Sequence, residues 1–128
     1  MNVIARFQDS PHRFALAAGK ILFKEGEPGE LMYVLLEGTV DVVIGGTVVE
    51  SVAAGTVLGE TAIIDGSPRS ATAISTTPCL LTAVATAQFD ALVSETPEFS
   101  RFVMQVLSGR LRRMNQRLLE AFTEISVR

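Results

Sequence analysis

The chain has 128 residues, a length that suits one folded domain of roughly 100–200 residues and leaves no room for a second. With 48% hydrophobic and 20% charged residues it can bury a core, and no run approaches the ~20 consecutive apolar residues of a membrane span. A net charge of −3 argues against sequence-independent nucleic-acid binding, which rests on Lys and Arg neutralising phosphates.

The first residues, Met1 to Arg6, lack the apolar stretch and small-residue cleavage site of a signal peptide, so a cytoplasmic setting is expected. His12 is the single histidine and reads as a surface or capping residue. From Phe14 to Val84 short apolar runs are punctuated by glycines at 19, 26, 29, 38, 45, 46, 55, 59 and 66, a rhythm that predicts many short strands. Met32 to Leu36 is a continuous apolar run and reads as a buried strand. Val40, Val42 and Ile44 alternate with Thr39, Asp41 and Val43, the period of a strand with one face on a core. Gly45-Gly46 then supplies a tight hairpin turn that returns the chain through Thr47-Val48-Val49. Cys79, the only cysteine, excludes an internal disulfide and sits in an apolar run as a structural thiol.

After Val84 glycine nearly vanishes and a helical period takes over. Leu92, Phe99, Phe102, Val103, Val106 and Leu107 fall on one face, with Pro97 in a first turn capped by Thr96, and Gly109 marks a joint between two helices. Leu111, Met114, Leu118, Ala121 and Ile125 follow a three-four spacing, while Arg110, Arg112, Arg113, Arg117 and Glu120 take the remaining faces. Two uses of that stripe stay open: packing on the protein's own sheet, or a homodimer seam. The pattern as a whole is mainly β with C-terminal helices, a compact antiparallel sandwich or roll in a single domain over 1–128, strands at about 14–85 and helices at about 87–125.

The segment from Val57 to Thr72 departs from both patterns. It reads as a strand end, a single helical turn, a tight loop and a returning strand. Gly59 permits close backbone approach, and the first amides after it are donors without helical acceptors. Arg69, placed on the returning strand, offers a planar fork that matches a phosphate, and Ser70 adds a hydroxyl. Glu60 beside an anion site needs another task, and a ligand hydroxyl provides one; the alternative is a Glu60–Arg69 salt bridge closing the loop.

Gly59-Glu60, the helix former Thr61-Ala62-Ile63-Ile64, the turn Asp65-Gly66-Ser67 and Pro68-Arg69-Ser70-Ala71 resemble the phosphate-binding cassette of the cyclic-nucleotide-binding domain family. Ala18-Gly19-Lys20-Ile21-Leu22-Phe23, Gly26-Glu27-Pro28-Gly29 and Met32 to Val40 are similar to the same family upstream, so the likeness covers about residues 14–120. The resemblance implies an antiparallel, jelly-roll-like β-roll with a C-terminal helical lid. It implies that Glu60 holds the ribose 2′-hydroxyl and Arg69 the cyclic phosphate. Backbone at Gly59, Thr61 and Ala62 with Ser70 and Ala71 would complete the phosphate shell, and Leu58 would lie against the base. Arg112, Arg113 and Gln116 are base-contact candidates or plain solvated surface. Thr61 departs from the apolar residue usual after Gly-Glu. Ser70 stands where threonine is associated with cGMP and alanine with cAMP, and the reading leans to cAMP.

The expectation is therefore a sensor for cAMP or cGMP, with no catalysis, no metal and no cofactor, that moves its C-terminal helices for an unknown effector protein. A ligand-free interaction or dimerisation module is the main alternative. A cupin-type enzyme needs a histidine cluster that one His12 does not supply. A catabolite-activator-type factor carries a helix-turn-helix after the long helix, for which a chain ending at Arg128 has no room, so no direct nucleic-acid contact is expected.

Overall fold

A computed structural model of the chain describes residues 1–126. Sequence patterning builds eight strands: β1 (Arg13–Leu16), β2 (Ile21–Phe23), β3 (Leu31–Glu37), β4 (Thr39–Ile44), β5 (Thr47–Ala53), β6 (Thr56–Leu58), β7 (Thr72–Ser75) and β8 (Cys79–Ala85). Four helices accompany them: α1 (Val3–Phe7), α2 (Glu60–Asp65), α3 (Thr86–Glu95) and α4 (Pro97–Ser126). The strands form two four-stranded sheets, β1-β8-β3-β6 and β2-β7-β4-β5, with antiparallel pairing throughout.

β3 explains why its sequence is an unbroken apolar run. Its side chains alternate between two cores, so neither face meets water. Tyr33 and Leu35 face the other sheet, in a core shared with Val40, Val52, Leu58, Ala73, Cys79 and Leu81. Met32, Val34 and Leu36 face outward onto the helices, where Val3, Phe7, Val57, Val84, Phe89, Leu92, Phe99 and Val103 complete a second core. Phe99, fully buried, is the hub of that core, with ring centroids 6.3 Å from Phe7 and 5.8 Å from Phe89. Truncating such a buried ring to alanine costs about 3–5 kcal/mol.

Gly45 and Gly46 sit at φ of 57° and 79°, the positive values that a two-residue hairpin between β4 and β5 demands.

Two expectations are corrected, and one short helix is added. No joint falls at Gly109, because α4 runs unbroken through it; Gly109 is buried, and the space a side chain would take holds the guanidinium of Arg113. Thr96 ends α3, and its carbonyl, not its hydroxyl, accepts the Phe99 amide at 2.9 Å. The five-residue α1 went unread because it is too short to show a period, although Asn2 caps it through the Ala5 amide.

Candidate functional site

Arg69 does not lie on a strand. It stands in the loop between α2 and β7, fixed by two backbone bonds of 2.8 Å to the turn before β3: its amide donates to the Glu27 carbonyl, and its carbonyl accepts from the Gly26 amide. Only 6% of the residue is exposed. Its guanidinium donates to the carbonyls of Gly59 at 3.1 Å and Leu31 at 2.7 Å and lies 4.3 Å over the Phe23 ring, which stacks on Tyr33. Two glycines make the slot. A Cβ on Gly29 would stand 2.5 Å from Nε of Arg69, and one on Gly59 would run into its Nη1. Burial pulls the Arg69 pKa below its ordinary value, with Tyr33, Glu60 and Glu27 opposing the shift.

The expected alternative of a Glu60–Arg69 salt bridge does not form. Among the described residues no carboxylate comes within 4.0 Å of Arg69, so a buried cation is met by carbonyl dipoles and an aromatic face alone. Such a group is costly to bury without a counter-charge.

Glu60 opens α2 behind Gly59, whose φ of 77° turns the chain into the helix. It is 2% exposed, and its partner is Arg110 of α4, whose Nη1 donates to Oε1 while Nη2 donates to the Val57 carbonyl. Oε2 of Glu60 is buried with no hydrogen-bond partner among the described residues. Glu50 of β5 extends the network, with its Oε2 3.6 Å from Nε of Arg110 and its Oε1 paired with Arg113.

A cavity of about 200 Å³ lies between these groups. Leu58, Gly59, Glu60, Thr61, Arg69, Ser70 and Ala71 line it; Ala62 does not, being packed beneath at 2% exposure. Phe23, Val42, Ile44, Val49 and Glu50 of the second sheet and Leu107, Arg110 and Met114 of α4 complete the wall. The site thus offers a buried cation without a carboxylate contact at Arg69, a half-satisfied carboxylate at Glu60, the Arg110–Glu50 contact and an apolar shelf under a helix. Asp65 closes the loop ahead of Arg69, accepting from the Ser67 hydroxyl and amide, bonds that hold its carboxyl below the ordinary value.

The three base-contact candidates stand outside the cavity in this structure. Arg113 is drawn to Glu50, Gln116 donates to Glu120 at 3.3 Å, Arg112 is exposed, and none of the three lines the cavity. Arg110, assigned to an outer face, is the cation that enters. Its signal was present: it falls on the packed face of α4, in the spacing Val103, Leu107, Arg110, Met114, where an apolar residue would be the rule. Gly29 carried no such signal, because only the fold brings it against Arg69.

Among the described residues no helix is long and apolar enough to cross a membrane, and no group of three or more His, Cys, Asp or Glu side chains could hold a metal ion.

Residues 13–96 match the family model described as cyclic nucleotide-binding domain. A cyclic nucleotide-gated potassium channel of Mesorhizobium japonicum is 37% identical over 83 residues, covering 65% of this chain and 23% of the channel. A CRP-like cAMP-activated global transcriptional regulator of Mycobacterium tuberculosis is 29% identical over 115 residues, 84% of this chain and 50% of the regulator. The chain therefore spans a quarter to a half of these relatives. Among solved structures, a cyclic nucleotide-binding domain from Methylobacillus flagellatus superposes with a TM-score of 0.75 at 27% identity, covering 94% of this chain and 74% of that one.

Proposed function

Because the chain belongs to the cyclic nucleotide-binding domain family, we propose that its cavity takes a cyclic nucleotide, cAMP in preference to cGMP, and reports it through α4. The observation that carries this reading is Arg69: a buried guanidinium held by carbonyls and an aromatic ring, with no carboxylate within 4.0 Å among the described residues. A cyclic phosphate supplies the missing charge, with backbone amides of Thr61 and Ala62 and the Ser70 and Ala71 segment around it. Oε2 of Glu60 accepts the ribose 2′-hydroxyl, the partner it lacks among the described residues. The base rests on the apolar shelf of Leu58 and Val42, beneath Leu107 and Met114.

Size gives α4 its role. A cavity of about 200 Å³ is below the ~300–1,000 Å³ of ordinary ligand sites, so nucleotide entry displaces α4 or at least the Arg110 side chain that fills the space. Ligand binding is then linked to the Arg110–Glu60 ion pair, and the position of α4 is the output. In this reading the domain is a sensor without catalysis, cytoplasmic, acting on an effector protein and not on nucleic acid directly. The cAMP-activated regulator among its relatives supports the choice of base. The second reading, a module that binds no nucleotide, draws on the same Arg110–Glu60 pair, which already satisfies half of the carboxylate.

A 2′-deoxy analogue of cAMP tests the assignment of Glu60. Wild type should bind the analogue more weakly than cAMP, and Glu60→Gln should bind both alike. Additive losses would show that Glu60 does not touch the hydroxyl.

A further inference from the structure

The slot that holds Arg69 is built mostly from the stretch between the end of β2 and the start of β3, far in sequence from the loop that carries the arginine. Residues 23–33 supply the backbone clamp at Gly26 and Glu27, the Leu31 carbonyl, the space left at Gly29 and two aromatic rings. The guanidinium carbon lies 4.3 Å from the centroid of the Phe23 ring and 6.0 Å from that of Tyr33. The two rings are 6.2 Å apart and within 18° of parallel, so a ring from each sheet joins in one aromatic floor beneath the cation. Phe14 of β1 stands edge-on against Tyr33 at 5.8 Å and braces it.

A ring can steady a buried cation as a carboxylate would, with a different consequence for the site. Its face attracts the guanidinium, yet it takes no N–H in the plane of the fork and carries no net charge. One hydrogen on Nη1 goes to the Gly59 carbonyl and one on Nη2 to the Leu31 carbonyl. The Nε–H and the second hydrogen on each terminal nitrogen are left without a partner among the described residues. A carboxylate in the place of Phe23 would take those hydrogens and repel an incoming phosphate. We propose that Phe23, with Tyr33 beside it, is a positioning residue for ligand binding: it holds Arg69 flat and charged in its buried slot and keeps the rest of the fork free for a phosphate. This role presupposes that a cyclic nucleotide enters the cavity. Phe23 also lines that cavity, but its effect runs through Arg69.

Fluorine weakens the negative face of a phenyl ring while nearly keeping its shape, so phenylalanines with one, two and three ring fluorines, placed site-specifically at position 23, isolate the electrostatic part. Affinity for cAMP, read by isothermal titration of the full chain, should fall at each step while circular dichroism stays that of wild type. Phe23→Leu should lower affinity by roughly five- to thirtyfold, and by the same factor for cGMP, which carries the same cyclic phosphate. Phe23→Tyr, which keeps a ring under the cation, should bind within about twofold of wild type. Tyr33→Leu should lose less than Phe23→Leu, because its ring lies farther from the guanidinium. A wild type that binds, with no trend along the fluorine series or with Phe23→Leu as tight as itself, overturns the role of the ring. A wild type that binds neither nucleotide removes the nucleotide reading itself, and this role with it.

Discussion

Arg110 and Glu60, fifty positions apart, form an ion pair that fastens the long C-terminal helix to the first residue of the cassette helix. The side chains are 19% and 3% exposed, so the pair is largely desolvated. Arg110→Ala leaves a carboxylate buried without its cation and should destabilise the protein by about 3 kcal/mol in urea unfolding without nucleotide. Adding Glu60→Gln removes the orphaned charge and should recover at least ~1 kcal/mol of that loss. Equal stability of Arg110→Ala and wild type would show that the pair does not hold α4 down.

Arg69→Ala should weaken nucleotide binding by ~2–5 kcal/mol, because a phosphate entering the site would be buried without its cation. Arg69→Lys should recover only part of the loss, since an ammonium cannot reproduce the fork that now spans the Gly59 and Leu31 carbonyls. Unchanged affinity in Arg69→Ala would remove the phosphate assignment.

Gly29 tests the slot without replacing either charged residue. A methyl there would stand 2.5 Å from Nε of Arg69 and 2.9 Å from the Ala62 Cβ, so the guanidinium must move. Gly29→Ala should cost at least tenfold in nucleotide affinity, about 1.4 kcal/mol, with the fold intact by circular dichroism. A binding curve that overlays wild type would mean that the arginine has room to spare.

Gly109→Ala should stabilise the protein. The residue sits inside a continuous helix, where glycine is worse than alanine by ~0.8–1.0 kcal/mol, and the nearest atom to a new Cβ is Nη1 of Arg113 at 3.1 Å. Arg113 is 57% exposed and can give way, so a net gain of about 0.5 kcal/mol in thermal or urea unfolding is expected. A loss would show that the Arg113–Glu50 contact needs the close approach.

Much of the fold was legible in the sequence, and residue by residue the reason is period. Val40 and Val42 flank Asp41 and form β4; Met32 to Leu36 alternate between two cores and so show no polar face; Gly45-Gly46 make the hairpin. The cassette was legible because its residues are contiguous: Leu58 through Thr61 and Arg69 through Ala71 surround one cavity. What escaped depends on contacts that no local pattern encodes. Gly29 meets Arg69 forty positions away, Arg110 reaches Glu60 across fifty, and Gly109 reads as a helix break although α4 continues through it. The stripe on α4 resolved into two faces, with Met114 at the cavity and Leu111, Leu118 and Ile125 in solvent. A helical period marks both faces as apolar and cannot say which one the roll covers.

The central claim is tested most directly by isothermal titration of the chain, unfolded and refolded to strip carried nucleotide, with cAMP and then cGMP. Saturable binding of one nucleotide per chain, tighter for cAMP, is the predicted result. A correctly refolded protein that gives no heat and no competition with either nucleotide would contradict it.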